Sequence, residues 1–383
     1  MIRLNKPFFD EEEVNAVRAV LDSGWVAQGE QCDLLEEEVS AMLAEPVVSV
    51  SNCTSALYLS LQALGIGKGD EVILPDYTFP ATALAIMKTG ATPVFVDINE
   101  NNFGINLTEI ENAITGKTRA IIPVHLFGEV ACDMVGIFNL AKNTTDGHKN
   151  YIHVIEDAAC SFGAVYHGMP AGTIGDIGCF SLHGRKGVTC GEGGLVCAKD
   201  SEITERIKKI SNFGIERTWQ RKNDVVFDNQ YASNYKLSDI SAAIAREQLK
   251  KLNKIIDYKI EVAKQWELII KKDDLLSASF ESLPDIFEVG EDGRNIFQSY
   301  VCILKDSRPA IERYFRQKGF ETGIGTYACH MHLAFAEYTI GQKFPNSERA
   351  FYNAISLPIY YKLDLAKEWY KDELKEFIRI GDN

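Results

Sequence analysis

Two acids, a hydroxyl and a lysine stand close together in the stretch from His153 to Val196. Glu156 and Asp157 end one apolar run, Ser181 ends another, and Lys186 follows on a loop punctuated by glycines. A lysine amine can hold a carbonyl cofactor as a Schiff base, an acid can keep a ring nitrogen protonated, and hydroxyls can bind phosphate. The stretch therefore predicts Schiff-base chemistry at Lys186, with Asp157 facing a pyridine nitrogen.

Each of these residues also has a plainer interpretation. A strand-end acid such as Asp157 commonly caps a loop, and most lysines are solvated surface residues. Lys186 lies beside His183 and Arg185, and neighbouring cations together with burial lower the pKa of a lysine, which favours Schiff-base formation. Arg185 could instead pair with Glu192 at the surface.

Two further loops offer contacts for a phosphate and a ring. Thr54 and Ser55 begin a predicted helix, and free N–H groups with hydroxyls at a helix N-terminus suit an anion. The same two residues could simply cap the helix. Phe79 offers a flat apolar face to an aromatic cofactor, or else is a core residue under a loop.

Short β-branched runs alternate with helical stretches from about residue 47. Strands are predicted at 47–50, 71–74, 93–97, 119–124, 152–156, 177–180 and 195–198, with helices or loops between them. Strands joined by crossover helices form a mostly parallel sheet covered on both faces. Ligands bind beyond the carboxyl ends of such strands, so Asp157, Ser181 and Lys186 are expected at one edge of the sheet.

The pattern changes in the second half of the chain. Polar segments at 139–150 and 212–234 predict loops. The stretch from Ser238 to about residue 263 predicts one or two long helices, with Ser238 as the cap at the start. The remainder mixes a strand with helices. We therefore predict a large domain over residues 1–250 and a smaller α+β domain over residues 251–383.

Composition argues against several classes of protein. The 383 residues are 46% hydrophobic, but no apolar run approaches a membrane span and the N-terminus lacks a signal layout. Forty basic against 54 acidic residues give a net charge of −14, which disfavours nucleic-acid binding. Nine cysteines without a CxxC pair suit a reducing cytoplasm, and the seven histidines do not cluster as metal ligands. We expect a cytoplasmic protein without a metal site.

Taken in order, these segments resemble the DegT/DnrJ/StrS family of sugar aminotransferases, which are fold-type-I enzymes that use pyridoxal 5'-phosphate. The likeness covers nearly the whole chain. It rests on SGWVAQG, NCTSALYLSLQALGIGKGDEVILPDYTFPATALAI, GATPVFVDI, IIPVHLFGEVACDM, IEDAACSFGA, GDIGCFSLHGRKGVTCGEGG, NYKLSDISAAIAREQL and LPIYYKL, which follow the family's order and spacing.

The resemblance implies roles for the residues that would hold the cofactor. Lys186 would bond to it and shuttle the proton, and Asp157 would be the partner of the pyridinium. The other implied contacts are phosphate ligands and a stacking ring, namely Thr54, Ser55, Ser181 and Phe79. Cys160 stands where a Gln, His or Glu normally touches the phenolic side, and a thiol is a poor hydrogen-bond partner, so cofactor electronics are expected to be tuned differently.

The resemblance also implies substrate and partner contacts. Asn234 matches an asparagine that reaches the phosphate of the neighbouring subunit, so a homodimer with shared active sites is expected. Trp25 to Gln28 match a substrate loop, Lys236 stands near the nucleotide-sugar, and His332 matches a late substrate-contacting histidine. The segment 327–332 lacks the proline that the family commonly has there, and Cys53 replaces a usual glycine.

The implied reaction moves an amino group from L-glutamate to C4 of an NDP-4-keto-6-deoxyhexose, giving an amino sugar of the perosamine or viosamine type for glycan biosynthesis. The segment Asn234 to Asp239 resembles the C4-acting branch. Three alternatives stay open: an aminotransferase acting at C3 or on a cyclitol, a sugar dehydratase, and a non-catalytic regulatory protein that binds the cofactor or a sugar. The dehydratases of the family carry a histidine where this chain has Lys186.

Overall fold

The computed structural model describes residues 1–100, 102–144, 151–215, 229–285, 293–306 and 308–370. The strands are β1 (Val47–Val50), β2 (Glu71–Pro75), β3 (Tyr77–Thr78), β4 (Thr92–Val96), β5 (Thr118–Ile121), β6 (His153–Asp157), β7 (Val165–Tyr166), β8 (Met169–Pro170), β9 (Ile177–Ser181), β10 (Gly194–Ala198), β11 (Phe280–Ser282), β12 (Gly293–Arg294), β13 (Tyr300–Leu304), β14 (Tyr327–Ala328) and β15 (Ala354–Leu357).

The helices are α1 (Glu11–Ser23), α2 (Glu30–Leu43), α3 (Cys53–Ala63), α4 (Ala81–Thr89), α5 (Leu107–Ala113), α6 (Met134–Asn143), α7 (Ser201–Ser211), α8 (Asp239–Lys272), α9 (Asp274–Ser279), α10 (Pro309–Gln317), α11 (Ala336–Thr339), α12 (Pro345–Asn353) and α13 (Leu365–Trp369). Two single turns of 3₁₀-helix lie at Cys329–Met331 and Leu333–Phe335. Within the described ranges, no helix combines the length and the apolar character needed to span a bilayer.

A seven-stranded sheet in the order β1-β10-β9-β6-β5-β2-β4 forms the centre of the molecule. Strands β9, β6, β5, β2 and β4 run parallel, and β10 is antiparallel to both of its neighbours. The prediction of a mostly parallel α/β sheet is confirmed. Strand β5 ends at Ile121 rather than at 124, because Pro123 has no N–H with which to continue the ladder.

Helices cover both faces of this sheet, and successive residues of a strand alternate between them. Val154 joins the core cluster that contains α2, α6 and α8, whereas Ile155 joins the cluster that contains α3, α4 and α7. Because side chains alternate along a strand, Glu156 follows Val154 toward α8 and Asp157 follows Ile155 toward α3. The two adjacent carboxylates therefore lie on opposite faces.

Helix α8 crosses the molecule and packs against α1 and α2 at one end and against α9 and α13 at the other. Ser238 caps its start, as predicted, by accepting a hydrogen bond from the Ser241 N–H at 3.2 Å. The helix continues to Lys272, so position 250 lies inside it. The division into domains at that position stays a prediction.

The C-terminal part adds an antiparallel sheet in the order β11-β13-β15. Its core surrounds Trp266 of α8, whose indole N–H donates to the Pro358 carbonyl at 2.7 Å. Strand β14 pairs with β3 in a separate two-stranded sheet, which places Tyr327 opposite Thr78. The predicted loop at 139–150 begins as the end of α6. Its residues 145–150, and residues 216–228 of the predicted loop at 212–234, lie outside the described residues.

Candidate active site

The ends of β6, β9 and β1 meet the start of β10 at one edge of the sheet. Asp157 at the end of β6 lies opposite Cys179 of β9, while Ser181 at the end of β9 lies opposite Gly194. A Cβ atom on Gly194 would lie 2.5 Å from the carbonyl carbon of Asn52. Only glycine therefore lets the N-terminus of α3 approach this edge so closely.

The loop that carries Lys186 is closed by its own turn and tied to two other parts of the chain. Its own turn is closed by the Lys186 N–H, which donates to the His183 carbonyl at 2.8 Å. The carbonyl of Arg185 accepts side-chain amide hydrogen bonds from Asn5 at 3.0 Å and from Gln298 at 2.8 Å. The N-terminal segment and the C-terminal half of the chain thus fix the position of this loop.

The amine of Lys186 contacts the thiol of Cys160. The Nζ atom lies 3.0 Å from Sγ, so the loop after β6 and the loop after β9 meet at this pair. Burial alone lowers the pKa of Lys186, but Cys160, Cys53 and Asp157 outweigh that effect and raise it above its ordinary value. The expectation that neighbouring cations lower this pKa is wrong, because the groups that face the amine are thiols and a carboxylate.

On the surface of this loop, the described contact of Glu192 is not with Arg185, the pairing that the sequence left open. Glu192 lies 3.7 Å from the Nε2 atom of His183 instead. Both side chains of this pair are largely exposed, so solvent screens the interaction and its contribution to stability is small.

The carboxylate of Asp157 is buried but keeps acceptor capacity. Its Oδ2 atom accepts a hydrogen bond from the Thr82 hydroxyl at 2.7 Å, and Oδ1 accepts from the Ala159 N–H at 3.2 Å. Burial raises the pKa of Asp157 above its usual range, and Thr82, Ala159 and Lys186 oppose that rise. A cationic ring nitrogen would be a suitable further partner for this group.

Glu156, on the other face, is enclosed by donors. Its oxygens contact the Nε2 atom of His125 at 2.7 Å and accept from the backbone N–H groups of Gly172, Ile174 and Gly175 at 2.8, 2.7 and 2.6 Å. Burial alone lowers the pKa of His125, but contacts with Cys132 and Glu156 outweigh it and raise that pKa to about 10. This pair holds the β6 end and the turn at Gly172–Gly175 in place.

The anion contacts predicted at the N-terminus of α3 stay a prediction, but the cap of this helix differs from the one expected. The helix is capped by Asn52, whose side-chain oxygen accepts from the Ser55 N–H at 2.8 Å, and not by Thr54 or Ser55. Asn52 stands two residues before Thr54, and a side chain at this N-cap position can accept from the amide of the third helical residue, which is Ser55. Thr54 is therefore exposed, with a hydroxyl that is not used for capping. Ser181 lies nearby, where its hydroxyl accepts from the His183 N–H at 3.3 Å.

An aromatic group lies at the entrance to this edge. Phe79 exposes 61% of its surface, and its ring packs at 6.1 Å from that of Tyr327, which in turn lies 5.5 Å from the ring of His332. The Nε2 atom of His332 is buried and has no hydrogen-bond partner among the described residues. An exposed ring beside an orphaned polar atom is the pattern expected where a ligand completes the packing.

The described contacts of the remaining residues predicted to bind substrate are with parts of the chain other than Lys186. Trp25 donates from its indole N–H to the Gln28 carbonyl at 3.0 Å, and the buried Nε2 atom of Gln28 has no partner within the described ranges. Asn234 is exposed, and the neighbouring Tyr235 carbonyl accepts from the Ser51 N–H at 2.7 Å. The amine of Lys236 lies over the ring of Phe213 at 4.5 Å.

Comparison with known proteins decides the family. The model of the DegT/DnrJ/EryC1/StrS aminotransferase family matches residues 7–369. The chain belongs to this family. Its relatives include the spore coat polysaccharide biosynthesis protein SpsC of Bacillus subtilis, which is 33% identical over 92% of this chain and 91% of its own length. A GDP-perosamine synthase of Escherichia coli O157:H7 is 33% identical over 97% and 99%.

Solved structures of sugar aminotransferases agree with the fold. A putative sugar aminotransferase, Spr1654 of Streptococcus pneumoniae in its PLP form, superposes with a TM-score of 0.85, at 26% identity and 96% coverage of both chains. This aminotransferase family depends on pyridoxal 5'-phosphate, and the cofactor of this chain is therefore pyridoxal 5'-phosphate. The residues present fit that group. A buried carboxylate, a lysine amine, a hydroxyl at the N-terminus of α3 that does not form the helix cap, and an exposed aromatic ring lie at one edge of the sheet.

Three residues around this aminotransferase site were not predicted from the sequence. Thr82 donates to Asp157, His125 contacts Glu156, and Lys259 is buried, with its amine donating to the Gln298 carbonyl. A signal existed for Lys259, because positions 252, 256, 259 and 263 share one face of a helix and the other three are apolar. Thr82 and His125 had no comparable signal, since their partners lie far along the chain.

Proposed function

We propose that this chain moves an amino group from L-glutamate to C4 of an NDP-4-keto-6-deoxyhexose, giving a perosamine- or viosamine-type sugar for glycan biosynthesis. The observation that carries the proposal is the lysine amine of Lys186 at the same sheet edge as the buried carboxylate of Asp157, in a chain of an aminotransferase family. Relatives named GDP-perosamine synthase support the choice of sugar.

The proposed roles follow from the chemistry of each side chain. Lys186 bonds to the cofactor and moves the proton at the carbon that gains or loses the amino group. When bound, pyridoxal phosphate accepts the electron pair of that carbon, provided that its ring nitrogen keeps a proton. The charge of the Asp157 carboxylate favours the proton on that ring nitrogen, and Thr82 orients the carboxylate. Cys160 contacts Lys186 where the family usually has a stronger hydrogen-bonding side chain.

The phosphate of the cofactor is proposed to bind between α3 and the end of β9. The amides at the N-terminus of α3 attract an anion, and the hydroxyls of Thr54, Ser55 and Ser181 add donors. Phe79 covers one face of the ring. Asn234 is proposed to reach the phosphate bound by a second copy of this chain, which would make the enzyme a homodimer.

The sugar nucleotide is proposed to contact residues that have polar atoms to spare. The buried nitrogens of Gln28 and His332 have no partner in the described part of the chain. Trp25 is 53% exposed and presents a large flat surface suited to a sugar or a base, and Lys236 is proposed to neutralise a phosphate of the nucleotide. The nine free thiols support a cytoplasmic setting for this reaction.

The decisive experiment supplies L-glutamate and a panel of GDP-, UDP- and dTDP-linked 3-keto and 4-keto 6-deoxy sugars, and identifies products by mass spectrometry. We expect an amino sugar from a 4-keto substrate only. Turnover of 3-keto sugars alone would overturn the C4 assignment. Glutamate should also change the absorbance of the bound cofactor, and Lys186→Ala should abolish that change. No change in the parent protein would reject an aminotransferase role.

A further inference from the structure

A buried aspartate that immediately follows β2 is held by one residue from the C-terminal part of the chain. Asp76 is completely buried, and its Oδ1 atom accepts a hydrogen bond from the backbone N–H of His330 at 2.7 Å. The Nδ1 atom of the same His330 lies 2.6 Å from Oδ2. Two short contacts from one residue fix direction as well as distance, so Asp76 sets both the backbone position of His330 and the orientation of its ring.

Backbone hydrogen bonds extend this contact toward the candidate active site. The Cys329 N–H donates to the Asp76 carbonyl at 2.8 Å, and β14 pairs with β3. The residue that follows β3 is Phe79, whose ring lies 6.1 Å from that of Tyr327 in β14. The segment at 327–330 is therefore docked on the residues that precede Phe79.

The same part of the chain carries His332, which has a polar atom to spare. The His332 N–H donates to the Cys329 carbonyl at 2.9 Å, and His330 lies inside the 3₁₀ turn that this hydrogen bond closes. The turn brings the His332 ring to 5.5 Å from that of Tyr327. The buried Nε2 atom of His332 lacks a hydrogen-bond partner in the ranges that the structure describes. The position of this nitrogen therefore depends on the turn that contains His330.

Apolar contacts also hold this turn against the core. Cys329 and Phe335, on either side of it, are buried in the core cluster that contains α3 and α4, and the Phe344 ring lies 5.1 Å from that of His330. Burial of the Asp76 carboxylate carries a desolvation penalty that an apolar residue would avoid. What the polar pair adds to these apolar contacts is a fixed orientation.

We propose that Asp76 and His330 are positioning residues for the sugar nucleotide: their contact orients the turn so that the Nε2 atom of His332 meets that substrate. The proposal rests on the proposed role of His332 in binding the sugar nucleotide. The pair should then control the affinity for sugar nucleotides and not the reaction with glutamate, because Asp157 and Lys186 take their described side-chain contacts from other parts of the chain.

Calorimetric titration of the cofactor-loaded full chain with GDP-mannose, UDP-glucose and dTDP-glucose measures this affinity. These sugar nucleotides carry no keto group, so they can bind without being turned over. His330→Leu removes the ring contact with Asp76, and His330→Asn keeps a polar atom near the position of Nδ1. For the sugar nucleotide that binds the parent most tightly, we expect the Kd to rise by about tenfold in His330→Leu, as the loss of one hydrogen bond would produce, and to stay within about twofold of the parent in His330→Asn.

The reaction with glutamate separates positioning from a general loss of structure. The absorbance change of the bound cofactor on adding glutamate should keep its rate within about twofold in His330→Leu, measured per cofactor-loaded molecule. His153→Leu is the matched control and should change neither quantity, because it removes a histidine that faces Asp176 at the start of β6, away from the candidate site. An unchanged Kd in His330→Leu would overturn the proposal, as would failure of His330→Asn to restore the Kd or an equal loss in both measurements.

A double variant tests whether His330 acts through His332. His332→Ala should by itself raise the Kd by about tenfold, and adding His330→Leu should raise it little further, since residues that act through one contact give non-additive effects. Two losses that simply add would overturn the proposal. If His330→Leu does not fold, His330→Gln carries the same comparison, because its amide lies one carbon farther from the backbone and does not reproduce the Nδ1 contact.

These titrations use no keto sugar, so a failed panel of keto sugars leaves them intact. Absence of binding by all three sugar nucleotides in the parent would overturn the positioning role of Asp76 and His330. The reaction with glutamate would still decide whether the chain transfers amino groups.

Discussion

Glu156 and Asp157 are neighbours in sequence, but the two faces of the sheet give them different surroundings. Glu156 contacts His125 and three backbone N–H groups, whereas Asp157 accepts one hydrogen bond on each oxygen, from Thr82 and Ala159. A carboxylate oxygen can accept about two hydrogen bonds, so Asp157 keeps room for a ligand and Glu156 keeps little. The comparison separates a carboxylate that holds the fold from one available for chemistry.

The largest effect expected from this comparison is on catalysis at Asp157. Asp157→Asn keeps the shape but removes the charge that favours a proton on the ring nitrogen. An opposite charge shifts such a pKa by roughly three units at most, so the rate of the glutamate half-reaction should fall by up to about 10³-fold. Stopped-flow absorbance of the cofactor measures it. A rate within a few-fold of the parent, at equal cofactor content, would remove Asp157 from its proposed role.

The sequence predicted the edge of the sheet well because the strands there are continuous apolar runs bounded by polar residues. Strand alternation also implies that Glu156 and Asp157 point to opposite faces. It does not say which face will enclose its carboxylate, because the donors to Glu156 come from His125 and from the turn at Gly172–Gly175. Those contacts depend on tertiary packing, and no local pattern records them.

The cap of α3 and the pKa of Lys186 also depend on details that the local sequence pattern does not determine. Asn52, Thr54 and Ser55 are all good capping residues, so composition could not choose among them. For Lys186, the cations adjacent in sequence suggested a lowered pKa. The groups adjacent in space are Cys160, Cys53 and Asp157, and they raise it.

The next prediction concerns stability rather than catalysis. Glu156→Gln leaves a charged His125 buried without its partner, and breaking a buried pair in this way costs about 3–5 kcal/mol. We expect the free energy of unfolding in urea to fall by that amount, while the rate per correctly folded, cofactor-loaded molecule changes little. If Glu156→Gln instead unfolds at the same urea concentration as the parent but reacts slowly, then Glu156 serves catalysis and not the fold, contrary to what its hydrogen bonds indicate.

The same pair predicts how stability depends on pH. The folded pKa of His125 is raised to about 10 from an ordinary value of 6.5. The native state therefore binds more protons than the unfolded state between these values, so the stabilisation is complete below about pH 6.5 and is lost as pH rises toward 10. Unfolding at pH 6.5, 8 and 9.5 should show this decline in the parent, and a shallower one in a His125→Asn variant. Parallel curves would show that the pair does not titrate in this way.

The smallest effect lies at Thr82, which tests how Asp157 stays ionised despite its burial. The Thr82 hydroxyl lowers the pKa of Asp157 against the opposing effect of desolvation. Thr82→Val removes that donor, and a hydrogen bond to a charged group is worth about 1.5–3 kcal/mol. The pKa of Asp157 should rise, so activity should be lost at a higher pH on the acid side, with a roughly tenfold loss below the shifted midpoint.

Thr82→Ser is the matched control, since it keeps the hydroxyl and should keep the parent profile. An acid limb that stays in place in Thr82→Val would mean that other donors hold the charge of Asp157, with the Ala159 N–H and Lys186 as the remaining candidates. A shift in Thr82→Val that Thr82→Ser does not share would show that one hydroxyl, reaching across from α4, keeps the open carboxylate charged. Glu156 needs no such single support, because four donors share its charge, and that is why its loss is expected to register as unfolding and not as a change in pH profile.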